Sequence, residues 1–253
     1  MFCTGECHMN TNRELLWRVY SQVYDIVMAS FLPYQILTER VAASLSPSPG
    51  SRILDAGCGT GHLLHYLLRW RSDLEAVGID FSTAMLNRAR AKSKDSRRIT
   101  WRKVNLNYPL PFSDGEFDAI ACVNVLYAVD EPLFLLQELR RVLREGGRLV
   151  LVTPIYRPKM GSIFGEHVQQ LKERNPKAWP VILLGQIIRL APSLVVFVAA
   201  NRSIQKDRSF HFFKEDQLYR MLLESGFRTS PLERVYGDQA WLAVGEKGTK
   251  PIL

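Results

Sequence analysis

Apolar and polar residues along this chain change period in a regular order, from helical to extended and back. Between residues 13 and 45, Leu16, Val19, Tyr20, Val23 and Tyr24 recur at helical spacing. This predicts a helix interrupted at Pro33 and ended by Pro47 and Pro49. Ile53 and Leu54 are strand formers, and Gly57, Gly59 and Gly61 follow them in a turn. His62 to Trp70 then reads as a helix, with Leu63, Leu64, Leu67 and Leu68 apolar. A second strand runs from Glu75 to Ile79 and ends at Asp80, and Ser82 caps a helix that turns Met85 and Leu86 inward. Arg98 to Val104 is a third strand and Phe117 to Val123 a buried fourth. The next helix is expected to be capped by Asp130, started by Pro132 and stopped by Gly146, with Leu133, Leu136, Leu139 and Leu143 inward. Arg148 to Thr153 is a fifth strand, Phe213 to Gly226 a helix, and Arg228 to Val235 pairs with Gln239 to Val244 around Gly237-Asp238.

The glycine turn is where a ligand can lie, and Asp55 restricts which one. A dinucleotide would bring a pyrophosphate to the following helix N-terminus, where the Asp55 carboxylate repels it. An adenosyl ligand carrying ammonium and sulfonium charges is attracted instead. A Walker loop is excluded, because no Lys-Ser/Thr pair follows Gly61. Asp80 stands nineteen residues beyond Gly61, a spacing that suits a carboxylate accepting hydrogen bonds from both ribose hydroxyls.

With these features in order, residues 52 to 61 (Arg-Ile-Leu-Asp-Ala-Gly-Cys-Gly-Thr-Gly) resemble motif I of the class I S-adenosylmethionine-dependent methyltransferases. Val77-Gly78-Ile79-Asp80-Phe81-Ser82 is similar to that family's second strand and its ribose-binding acid. Leu110-Pro111-Phe112 with Glu116-Phe117-Asp118-Ala119-Ile120 is similar to the run into its fourth strand, and residues 141 to 149 to the entry to its fifth. The resemblance covers residues 50 to 153 with a weaker tail at 213 to 245, and points to the small-molecule branch of ubiquinone and menaquinone type. It implies a doubly wound, Rossmann-like α/β fold with seven mostly parallel strands in the order 3-2-1-4-5-7-6. It also implies S-adenosylmethionine as cofactor, held by Asp55, Gly57, Cys58, Gly59, Asp80, Asn105, Leu106 and Asn124, with Phe81 and Met85 flanking the adenine or simply packing in the core. Many members carry an acid where this chain has Asn105, whose amide oxygen can still accept a hydrogen bond from the adenine amino group. Some amino-methylating members have Asn-Pro-Pro-Tyr where this chain has Asn124-Val125-Leu126-Tyr127, so the sequence gives poor support for a nitrogen acceptor. An N-terminal helix lies across the cofactor in similar enzymes, which makes Tyr20 or Tyr24 candidates to face the site.

The expected activity is methyl transfer to a small-molecule or lipid-like acceptor by in-line displacement, with positioning as the protein's main contribution. A general base is required only if the acceptor must lose a proton, and His211 and Tyr127 are candidates near strand ends. A nicotinamide oxidoreductase is the rival enzyme, disfavoured by Asp55, and a non-catalytic adenosyl-binding scaffold is the rival outside catalysis.

Composition adds location and partners. The formal net charge of +8 includes a cluster at Arg88, Arg90, Lys92, Lys94, Arg97, Arg98, Arg102 and Lys103, with Asp95 its one acid. No nucleic-acid motif accompanies it, so a solvated helix and strand edge is the expectation. The four cysteines at positions 3, 7, 58 and 122 form no disulfide framework, and no signal peptide precedes Glu6 and His8, which fits a cytoplasmic protein. Cys3, Cys7 and His8 lack a further ligand pair, so no metal is expected. Residues 1–50 are then an N-terminal helical segment, 51–153 with 209–253 the cofactor-binding domain, and 154–208 a helical cap over the acceptor. Within the cap Val181 to Ala200 is strongly apolar, Pro192 is expected to split it into two short helices, and Arg189 argues against a transmembrane span. Two readings of this run stand open: a cap packed on the core, or a surface in peripheral contact with a membrane.

Overall fold

The computed structural model describes residues 21–28, 30–93 and 98–248. Among these, the strands form one eight-stranded sheet. Its centre is β1 (Arg52–Ala56), flanked in parallel by β2 (Glu75–Asp80) and β4 (Phe117–Val123), with Asp55 opposite Gly78 on one side and Ala121 on the other. Beyond them lie β3 (Ile99–Lys103) and β5 (Leu143–Pro154), both parallel to their neighbours. The helices are α1 (Leu32–Leu45), α2 (His62–Trp70), α3 (Thr83–Lys92), α4 (Pro132–Val142), α5 (Met160–Arg174), α6 (Trp179–Lys206) and α7 (Glu215–Glu224), after a helical stretch at 21–28.

Side chains alternate across the strands into two cores, which is why β1 is buried almost throughout. Ile53, Ala121, Val150 and Leu242 pack against α1 and α2, whereas Leu54, Ile120, Leu151 and Ala243 pack against α4 and α7. This is the doubly wound arrangement, and it leaves the C-terminal ends of β1 and β4 facing a crevice where the strand order reverses.

The strand order is β3-β2-β1-β4-β5-β8-β6, with β7 (Glu233–Val235) paired to β8 (Ala240–Lys247). The expected seven-stranded order is thus recovered with one correction: its sixth strand is split. The pieces β6 (Phe227–Thr229) and β7 both run antiparallel to β8, Thr229 opposite Gly245 and Glu233 opposite Leu242, and Pro231 between them has no N–H to continue the ladder.

Four other features differ from expectation. The N-terminal helix breaks at Phe31 and not at Pro33, because proline is tolerated in the first turn of α1, where its missing N–H has no helical partner, but could not continue a helix running in from before it. Helix α4 ends at Val142, before Gly146, because Leu143 already pairs with Phe117 and begins β5. Its start is not capped by Asp130 either, since that residue exchanges hydrogen bonds with Asn107 and Glu131 takes the cap position. Finally, Pro192 does not split the apolar run: α6 is one helix of 28 residues with Pro192 inside.

Candidate functional site

The turn after β1 is held from two sides. The N–H groups of Gly57 and Cys58 both donate to the Ile79 carbonyl, at 2.8 and 2.9 Å, which binds the turn to β2. Gly57 has φ +80, and a Cβ there would lie 2.1 Å from Val125 Cγ2, so no other residue fits. A Cβ at Gly59 would meet no atom within 4 Å, which leaves that face of the turn open. Asp80 closes the arrangement, accepting from Gly59 N–H at 2.9 Å and from Ser82 N–H at 2.8 Å, one on each carboxylate oxygen. The carboxylate keeps acceptor capacity for a ligand hydroxyl.

A single cavity of about 190 Å³ starts at this turn and runs to α6. Its first end is lined by Gly57, Gly59, Asp80, Phe81, Met85, Asn105, Leu106 and Asn124. Asp55 and Cys58 line a smaller adjoining cavity that shares Gly57 and Gly59 with the first. All ten of the residues expected around a cofactor therefore gather at the C-terminal ends of β1, β2, β3 and β4. Asn105 Oδ1 accepts from Asn107 N–H at 3.1 Å, so the amide is fixed by a local turn. Asn124 sits at φ +56, a conformation asparagine tolerates, and its N–H is tied to the Val152 carbonyl. The far end is apolar and aromatic, with Met28, Val129, Ile163, Phe197, Ile204 and Phe212.

Electrostatically the site favours a cation. Burial pushes the Asp55 carboxyl up to about 7, with Asp80 adding to the effect, and burial pushes Asp80 up to about 6 against the pull of the Ser82, Gly59 and Phe81 N–H groups. Burial also raises the Cys58 thiol well above its usual range, so Cys58 is a packing residue and not a thiolate. Tyr127 lines the cavity with its phenol raised by burial, which keeps it protonated and a hydrogen-bond donor. His211 is absent from the lining, and its N–H donates to the Tyr127 carbonyl at 2.7 Å. Among the described residues no cluster of His, Cys, Asp and Glu is placed to hold a metal. Cys3, Cys7, His8 and Tyr20 lie outside the described residues.

Several cavity residues carried no sequence signal. Tyr236 and Gln239 come from the turn before β8, where Tyr236 adopts φ +58, and Gln239 Oε1 accepts from Lys159 N–H at 2.5 Å. Asp25 binds Lys92 at 2.7 Å and the Thr60 hydroxyl, fastening the 21–28 stretch to the glycine turn so that Tyr24 lines the cavity. Lys92 is thereby drawn from the basic cluster into the site's framework. Arg90 donates to the Trp101 carbonyl and Arg102 stacks 5.1 Å over Phe112, while Lys94, Asp95 and Arg97 lie outside the described residues.

Comparison with known proteins agrees with this geometry. Residues 54–151 match the family model described as "Methyltransferase domain". The chain is 32% identical over 246 residues to a demethylmenaquinone methyltransferase of Staphylococcus saprophyticus, covering 90% of this chain and 91% of the relative. It is 35% identical over 161 residues to the enzyme of that name from Tropheryma whipplei, covering 59% of this chain and 65% of the relative. In fold it is similar to geranyl diphosphate C-methyltransferase from Streptomyces coelicolor A3(2), solved with Mg2+, geranyl diphosphate and S-adenosyl-L-homocysteine. That likeness has a TM-score of 0.60 at 16% identity and covers 84% of this chain and 79% of the other.

Proposed function

The chain belongs to the class I S-adenosylmethionine-dependent methyltransferases, and on that premise we propose that it methylates a small apolar, quinone-type or lipid-like acceptor. One observation carries the reading: a single cavity joins the turn at Gly57 and Gly59 to an apolar end under α6. The residues fit the cofactor, since the open face at Gly59 admits its chain, Asp80 has acceptor capacity for ribose hydroxyls, and the acidic pair suits its positive charges. When bound, S-adenosylmethionine supplies an electrophilic methyl group on a sulfonium. This chain's part is to align and to exclude water. Phe197, Ile204 and Phe212 press an apolar acceptor toward the turn, and Tyr127 offers a protonated phenol near it.

In this reading residues 154–208 are the acceptor cap, fastened at its start by Gln239 and at its middle by His167. His167 accepts from Leu32 N–H at 3.2 Å through Nδ1, so its Nε2 donates to Gln186 at 2.9 Å, linking α1, α5 and α6. The protein works in the cytoplasm at the periphery of a membrane, where such acceptors reside. The test is transfer of labelled methyl to a panel containing polar amines, soluble phenols and isoprenoid quinone precursors. Label should enter the isoprenoid class, and tight cofactor binding without label in any class would support a scaffold instead.

A further inference from the structure

Helix α6 has two faces that differ in what they touch. One buries Leu190, Phe197, Ala200 and Ile204, of which Phe197 and Ile204 line the cavity. The opposite face carries Val181, Leu184, Ile188, Val195 and Val198, whose spacings of three, four, seven and three place them in one stripe. These side chains are exposed, Val181 by 75%, Ile188 by 68% and Val195 by 71%. The helix is long and apolar enough to cross a bilayer, yet only 11% of its most apolar window is buried, so it is not the core helix of a compact domain.

We propose that this outer stripe docks the protein on an anionic lipid bilayer, with α6 lying in the plane of the membrane surface. Charge selects this occupant. From Arg174 to Lys206 there is no acidic residue, and exposed cations stand at both ends, Arg174 and Lys177 before the helix and Arg202 and Lys206 at its close. A helix of about 42 Å with cations at each end can set both ends among the headgroups of one leaflet only when it lies flat. Spanning is excluded because the inner face buries Phe197 and Ala200 in the protein's own core and Arg189, bonded to Ser30 Oγ at 2.9 Å, interrupts the middle. A second copy along the stripe fits poorly: paired antiparallel, its Arg202 and Lys206 would oppose Arg174 and Lys177, and paired parallel each cation would face itself. Docking sets the cavity one helix diameter, about 10 Å, from the lipid. In naming the bilayer as the place where the acceptor is met, the proposal rests on the apolar-acceptor reading above, but the docking itself does not.

Flotation with phosphatidylcholine vesicles, with and without phosphatidylglycerol, tests it. The protein should float with anionic vesicles at low salt and be released as salt rises. Ile188→Asp with Val195→Asp should reduce the bound fraction about tenfold, with melting temperature and S-adenosylhomocysteine affinity unchanged. No flotation of the unaltered protein at low salt overturns the proposal, as does equal flotation of the variant. So does a dimer in light scattering that the two substitutions dissociate, which would assign the stripe to a second copy. Transfer to a detergent-dispersed quinone precursor separates the two readings: flotation without transfer supports the docking surface and removes the acceptor assignment, whereas transfer without flotation removes the docking surface alone.

Discussion

Asp55 and Asp80 are buried carboxylates with no cation bonded to them among the described residues, and this sets how the protein answers to pH. Both have raised pKa values, about 7 and about 6, so their native states hold protons that the unfolded chain gives up near 4. Stability from this source is fully present below about pH 4 and is lost as pH rises through about 6 to 7. Asp55→Asn should therefore flatten the alkaline side of the ligand-free melting curve, measured by calorimetry across that window. The same carboxylates gain from a cation, so affinity for S-adenosylmethionine should tighten over that range while affinity for adenosine, which lacks both positive charges, stays nearly constant. Equal pH dependence for the two ligands would mean that Asp55 only supports the turn. At Gly57 a substitution acts differently: Gly57→Ala meets Val125 at 2.1 Å with φ at +80, and loss of stability should accompany loss of binding.

At the scale of elements, the loop from Asn105 to Glu116 is held by α4 through two side chains, Arg141 and Glu138. Arg141 donates to the carbonyls of Leu110 and Phe112, both at 2.9 Å, and to Glu138 and Asp114, and Glu138 in turn accepts from Leu110 N–H. Arg141→Ala should cost about 1.5 to 3 kcal/mol in chemical denaturation, and Arg141→Lys should recover little, because an ammonium cannot reproduce the planar fork. What could be read from the sequence follows from how local each signal is. The strand, turn and helix from Arg52 to Trp70 were legible because Ile53, three glycines and the leucines of α2 are adjacent in sequence. The start of β5 was not, because Leu143 joins the sheet through Phe117, a partner 26 residues away. Nor was the continuity of α6: proline removes one hydrogen bond, which favours a break locally, but the turns on either side bury Leu190 and Phe197 and keep one axis. Tyr236, Gln239 and Asp25 reach the site only through the fold: periodicity placed their segments, but nothing local marked these side chains as site residues.

In the whole molecule, three parts converge on one cavity: the glycine turn with Asp80, the 21–28 stretch fastened by Asp25, and the inner face of α6. The account divides that cavity into a cofactor end at Asp80 and an acceptor end at Phe197. The division is tested most directly by measuring, on the same preparations, the Kd for S-adenosylhomocysteine and the KM for an isoprenoid quinone precursor in Asp80→Ala and Phe197→Ala. Asp80→Ala should weaken S-adenosylhomocysteine by about 1.5 to 3 kcal/mol with little change in KM for the acceptor. Phe197→Ala should raise that KM and leave the Kd within about twofold, since it removes only apolar contact with the acceptor. Parallel losses of both constants in both variants would contradict a divided cavity and the assignment of α6 to the acceptor.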